Sequence, residues 1–187
     1  MEKSKSDGLK TMNKYLNHMK KLLAIFVVLA FSGCKSMMDN QTISKESINT
    51  TLDSWHKAAA EANYNDYFNL MTDDAIFIGT DATENWNKTA FQAFAKPYFD
   101  KGKAWNFAAI DRHIYFDKIG EMAWFDELLN TQMKLCRGSG VLVKIGNEWK
   151  IKHYVLSMTI PNDNTNEVVK IKAPIEDALL KKMQGNK

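Results

Sequence analysis

The sequence predicts an α+β domain in which helices come first and an antiparallel sheet follows. Three observations predict it. Apolar residues recur at helical spacing from Ile48 to Ala62, the period changes to two at Trp105 and holds to Met158, and Gly146-Asn147 supplies a two-residue hairpin between two of the alternating runs.

Taken in order, Ile48, Leu52, Trp55, Ala59 and Ala62 lie at spacings of four, three, four and three, one stripe of a helix that Ser44 would cap. Tyr64, Tyr67, Phe68 and Met71 repeat the pattern in a shorter helix, separated from the first near Asn63. Ala75-Ile76-Phe77-Ile78-Gly79, flanked by Asp73-Asp74 and Thr80-Asp81, reads as a buried strand. Trp86, Ala90, Phe91 and Phe94 share one face of a third helix, which Pro97 is expected to end or kink near Lys96. Four strand-like runs follow, from Trp105 to Asp117, Glu121 to Met133, Gly138 to Ile145 and Glu148 to Met158, and their short connections make neighbours antiparallel. Pro161-Asn162-Asp163-Asn164 ends the last strand. In the tail, 162–187, Pro174 would open a short helix carrying Ile175, Leu179 and Met183 on one stripe.

Before the domain stands an export signal. Lys20-Lys21 form a charged start, Leu22 to Phe31 an apolar run, and Ser32-Gly33 precede Cys34. That apolar run is too short to span a bilayer, which needs about 20 residues. Phe31-Ser32-Gly33-Cys34 resembles a bacterial lipoprotein signal, although Phe31 stands where that family usually has leucine. The resemblance implies a diacylated Cys34 as the mature N-terminus, membrane attachment by lipid alone, and a place in the cell envelope. Because Lys35 rather than aspartate follows the cysteine, it further implies the outer membrane. An ordinary secretory signal that contains a cysteine is the alternative. The expected organisation is therefore an N-terminal extension outside the protein proper at 1–18, with translation starting at Met19, a signal at 19–33, a tether at 34–43, one domain at 44–161, and the tail.

Composition narrows the function. Six of the 25 basic and two of the 22 acidic residues precede Cys34, so the mature part carries a net charge of −1 and no phosphate-tracking surface; no nucleic-acid partner is expected. With Cys34 lipidated, Cys136 has no disulfide partner and reads as a small buried apolar group. Four histidines and two cysteines fall at no metal-ligand spacing, and there is no Gly-rich phosphate loop or nucleophile elbow, so neither metal nor cofactor is expected.

Helix, helix, strand, helix and meander, together with Ile78-Gly79-Thr80-Asp81, Ala123-Trp124-Phe125-Asp126, Arg137-Gly138-Ser139-Gly140 and Trp149-Lys150-Ile151-Lys152-His153-Tyr154, resemble the SnoaL-like branch of the nuclear-transport-factor-two-like superfamily. The resemblance covers roughly Ser44 to Pro161. It implies a strongly curved sheet wrapped around the helices with a cone-shaped, mainly apolar pocket at its open end. Relatives of that shape include isomerases, cyclases and dehydratases, so fold alone does not fix an activity.

Several residues are candidates for that pocket. Either Asp126 or Glu127 must face inward, since they are adjacent in an apolar strand. Asp126, if it shares the pocket face with Trp124 and Leu128, would be a desolvated general base; its alternative is a solvent-facing partner of Arg137. His153, placed by alternation with Trp149 and Ile151, is the candidate hydrogen-bonding group, set against a satisfied core histidine. Arg137 would bind a ligand carboxylate, or pair across the hairpin. Trp55, Trp86, Tyr98, Trp105 and Trp124 are candidate lining aromatics, with core filling as the default for most of them. Asp81 and Glu84 read as a carboxylate pair or as a capping box, and His56 and His113 as surface or satisfied residues.

The leading expectation is an envelope lipoprotein binding a small apolar or amphipathic ligand, catalysis open. The alternatives are an isomerase or dehydratase using Asp126, with His153 or Tyr98 as donor, and a protein-interaction module. Val141 to Lys144 carries apolar groups on both faces, and relatives pair through the outer sheet face, so a homodimer is expected there.

Overall fold

The computed structural model describes residues 42–185. The chain divides into two compact units, residues 1–47 and 48–187. The signal, Cys34 and most of the tether lie outside the described residues.

Along the described residues the order is helix, helix, two strands, helix, four strands and a terminal helix. Helix α1 covers 42–60, so Ser44 lies inside the helix rather than capping it. Its buried stripe is Ile48, Leu52, Trp55 and Ala59, as the spacing predicts. Helix α2 (Tyr64–Asn69) is capped by Asn63, whose side chain accepts the Asp66 N–H. Strand β1 (Met71–Ile78) is longer than its apolar centre suggests. Strand β2 (Asn85–Asn87) holds Trp86, which therefore precedes helix α3 (Lys88–Asp100) instead of belonging to it.

Pro97 neither ends nor shortens α3, which continues to Asp100. A proline inside a helix costs about 3 kcal/mol. Phe91, Ala95 and Phe99 lie one turn apart on the buried face, and burying a phenylalanine contributes about 1.5–3 kcal/mol. Phe99, beyond the proline, thus offsets much of the cost.

Strands β3 (Ala108–Phe116), β4 (Met122–Thr131), β5 (Lys134–Ile145) and β6 (Glu148–Met158) form the expected antiparallel meander. β5 begins at Lys134, four residues before the expected Gly138, because the β4–β5 turn is only Gln132-Met133. Gly146 has φ 62° at the first central position of the β5–β6 hairpin, the left-handed geometry that favours glycine there. The six strands run β2-β1-β6-β5-β4-β3 in one curved open sheet, and β1 lies parallel to β6. That pairing joins the first long strand to the last, across helix α3 and the whole meander.

The inner face carries the core. Ala123, Phe125, Glu127 and Leu129 of β4, Cys136 and Leu142 of β5, and Trp149, Ile151, Tyr154 and Leu156 of β6 are all buried. Trp55 of α1 stacks on Tyr67 at 4.8 Å and meets Tyr154 edge-on at 4.8 Å, which docks both first helices onto the sheet. The tail differs from expectation. Its helix α4 (Thr165–Gly185) spans 21 residues, starts before Pro174 and buries none of its side chains.

Candidate functional site

Two β-bulges decide which polar groups face the core. In β3 the pairing with β4 slips between Ala109 and Asp111, leaving Ile110 as the extra residue. Arg112 thereby lies opposite Glu127; unbulged pairing would put Asp111 there. In β6 the pairing with β5 slips between Val141 and Leu142, where Lys152 is the extra residue. Beyond Lys152 the alternation reverses, so Tyr154 and Leu156 follow Trp149 and Ile151 into the core, and His153 is carried out of phase with them.

The result is a buried polar cluster centred on Glu127, which is 0% exposed. Its Oε1 accepts from His56 Nε2 at 2.8 Å and from the Tyr154 hydroxyl at 3.2 Å. Its Oε2 accepts the Arg112 Nε–H at 2.9 Å, and Arg112 Nη2 lies 2.8 Å from the same oxygen as an ion-pair contact. Arg112 Nη1 reaches Asp53 Oδ1 at 2.8 Å and Asn49 Oδ1 at 3.2 Å on α1, carrying the network to the surface. Burial opposes ionisation of Glu127, but the hydrogen bonds and charges of His56 and Arg112 outweigh it and hold the carboxyl below its ordinary pKa. Burial, and then the neighbouring Glu127 charge, push the Tyr154 hydroxyl well above its ordinary value, so it stays a neutral donor.

Gly138 makes room for this cluster. A Cβ there would stand 2.3 Å from the Tyr154 hydroxyl oxygen and 2.9 Å from Glu127 Oε1. Gly138→Ala should therefore destabilise the domain by about 1–3 kcal/mol in urea unfolding. Combined with Tyr154→Phe, which removes the crowded hydroxyl, it should cost less than the two single changes added together; strict additivity would contradict the packing account.

A cavity of about 160 Å³ opens beside the core. Phe77 of β1, Trp86 of β2, Phe94 of α3, and Trp105 and Phe107 of the segment before β3 line it, with Met133 and Leu156. Its polar lining comes from Thr80, Glu84 and Gln132. Phe107 also lies 6.0 Å from His56, ring centre to ring centre, so the Glu127 cluster sits behind the cavity wall. Trp105 meets Tyr67 edge-on at 5.5 Å, and burial pushes the Tyr67 hydroxyl well above its usual pKa.

The candidates named from sequence divide accordingly. Trp86 and Trp105 line the cavity. Trp55 is core, 1% exposed, and Tyr98 lies exposed on α3. Asp126, Trp124 and Arg137 fall on the outer face of the sheet, a correction: β4 alternates as expected, but with Ala123, Phe125, Glu127 and Leu129 inward. Asp126 is half-exposed, 3.3 Å from His113 Nδ1 and 3.4 Å from Arg137 Nη1, so it is no desolvated base. His153 leaves the Trp149–Ile151 face at the Lys152 bulge. Asp81 and Glu84 make half of a capping box, around a turn that no helix follows directly: Glu84 Oε2 accepts the Asp81 N–H, but Asp81 Oδ1 accepts the Thr83 N–H rather than that of Glu84.

Sequence reasoning left His56 as a surface or satisfied residue, and it is buried and satisfied by Glu127; the link to Glu127, and Arg112 altogether, were missed. His56 lies four residues after Leu52, on the buried side of α1, and that spacing was its one available signal. Arg112 had none, because its inward position depends on the bulge.

A family model described as the SnoaL-like domain matches residues 48–161. The chain belongs to the SnoaL-like domain family. Solved structures agree at the level of fold. An NTF2-like protein of unknown function from Pseudomonas putida KT2440 is 14% identical with a TM-score of 0.56, covering 66% of this SnoaL-like chain and 92% of its own. A protein described as a candidate scytalone dehydratase, from Novosphingobium aromaticivorans, is 11% identical with a TM-score of 0.57, covering 66% and 89%. A candidate dehydratase of the NTF2-like family from Streptomyces avermitilis is 12% identical with a TM-score of 0.54, covering 62% and 96%. No curated protein matches the SnoaL-like chain.

Proposed function

We propose that the SnoaL-like domain binds a small apolar or amphipathic molecule in the cavity between β1, β2, α3 and the Trp105–Phe107 segment. The observation that carries this reading is the lining itself: five aromatic side chains and a few polar groups converge on one space. Drug-sized sites occupy about 300–1,000 Å³, so the ligand is compact. The charged cluster around Glu127 braces the wall through His56 and Phe107, and the cavity rather than that cluster meets the ligand. Lipid on Cys34 would hold the domain in the cell envelope, a reading that rests on the signal sequence alone.

Calorimetric titration with a panel of compact neutral alcohols and phenols tests it. At least one should bind saturably at one site, and Met133→Trp, which fills the cavity from the β4–β5 turn, should abolish that binding. Absence of saturable binding by any compact compound, neutral or charged, or binding unaffected by Met133→Trp, defeats the proposal.

A second reading, that two copies pair through the outer sheet face, is favoured by one observation. Tyr115 and Trp124 are 46% and 44% exposed there and stack on each other at 5.9 Å. Sedimentation should give a dimer for the natural protein and a monomer for Trp124→Glu; a monomer in both cases rejects it.

A further inference from the structure

We infer that the ligand of this cavity is a compact organic cation of the quaternary ammonium class. The inference rests on the cavity being a ligand site and names the chemistry that site selects. Two observations carry it.

The first is the sign of the lining. Among the described residues Glu84 is its one ionisable side chain, and no described Lys, Arg or His contributes to it. The second is the company the carboxylate keeps: Phe77, Trp86, Phe94, Trp105 and Phe107 surround the same space. Aromatic rings carry a negative face that attracts cations, and desolvation strengthens the attraction. An anionic ligand would meet a carboxylate with no compensating charge, whereas a cation supplies the missing one. A tetraalkylated nitrogen suits the site better than a primary ammonium, because its charge is spread over methyl groups and leaves no N–H to satisfy in a space where Thr80, Glu84 and Gln132 are the main polar groups.

The carboxylate is held in place rather than free to swing away. Glu84 Oε2 accepts the Asp81 N–H at 3.1 Å, closing the turn above the cavity. Gly79, which also lines the cavity, leaves the room it needs: a Cβ on Gly79 would stand 2.1 Å from Glu84 Oε2. Glu84→Gln removes the charge while keeping an oxygen that can accept the same bond, and Gly79→Ala keeps the charge but drives it from its seat.

The experiment compares choline with 3,3-dimethylbutan-1-ol, its neutral analogue with carbon in place of nitrogen, by calorimetry on the purified protein. Choline should bind at least about tenfold more tightly than the alcohol, and Glu84→Gln and Gly79→Ala should each reduce that preference to less than about threefold. Equal binding of the two compounds to the natural protein overturns the cation inference and leaves the cavity as a binding site. Binding of neither, with none of the neutral panel binding, overturns the cavity reading and this inference with it. A choline preference that survives both substitutions places the cation elsewhere and also overturns it.

Discussion

Glu127→Ala is expected to lower the unfolding free energy by about 3–5 kcal/mol, because it takes from the buried guanidinium of Arg112 its buried carboxylate and leaves it only the exposed one of Asp53. The change also deprives His56 and Tyr154 of their shared acceptor. For a domain of this size, whose total stability lies near 5–15 kcal/mol, that is a large fraction. Replacing both partners of the pair, Glu127→Leu with Arg112→Met, should recover much of the loss, since an apolar pair of similar volume carries no desolvation cost. Urea unfolding of the single and double variants measures both.

The same carboxylate makes stability depend on pH. Its pKa in the folded protein is lowered, so the unfolded chain binds the proton more readily, and the contribution is fully present above the unfolded glutamate value of about 4.3. It is lost as pH falls through the lower, folded value. The natural protein should therefore lose stability in acid over that window, and Glu127→Gln should flatten the profile there. An unchanged acid limb in Glu127→Gln would show that other carboxylates govern it.

Arg112→Asp is expected to have an effect at least as large. Arg112 lies opposite Glu127, so the change sets a second carboxylate against the first in the core where an ion pair stood. The variant should lose the near-ultraviolet dichroism of its packed aromatics. Coupling it to Glu127→Gln, which removes one of the two facing charges, should recover part of the folded signal. Near-natural stability in Arg112→Asp alone would refute the role assigned to the pair.

Much of the architecture was legible along the chain. The Ile48–Ala59 stripe, the break at Asn63, the four alternating runs from Trp105 onwards and the Gly146-Asn147 hairpin all depend on local periodicity and turn chemistry, which adjacent residues specify. Pro97 and Pro174 misled for the opposite reason. Pro97 reads locally as a helix breaker and Pro174 as a first helical residue, but α3 runs past Pro97, where the burial of Phe99 offsets much of the cost, and α4 starts before Pro174.

The site was less legible. Trp86 and Trp105 stood out as bulky aromatics, but the choice between Asp126 and Glu127 could not be made within β4, where both sit in the same apolar run. A buried carboxylate is tolerated only where partners compensate it, and those partners lie on α1, β3 and β6, at His56, Arg112 and Tyr154.

By itself, then, the sequence determined the class of the domain, the order of its elements apart from β2 and its membership of a family with a curved sheet around helices, because each follows from patterns a few residues long. Only the tertiary structure decided which faces those patterns present. An extra residue at Ile110 and another at Lys152 invert the alternation of β3 and β6 relative to their neighbours, and the register between strands, where cross-strand pairs must satisfy one another, is a property of two strands at once. That placed Arg112 and Tyr154 on Glu127, kept Asp126 and His153 off the inner face, and left the aromatic cavity with Glu84 as the single charge among its described lining residues.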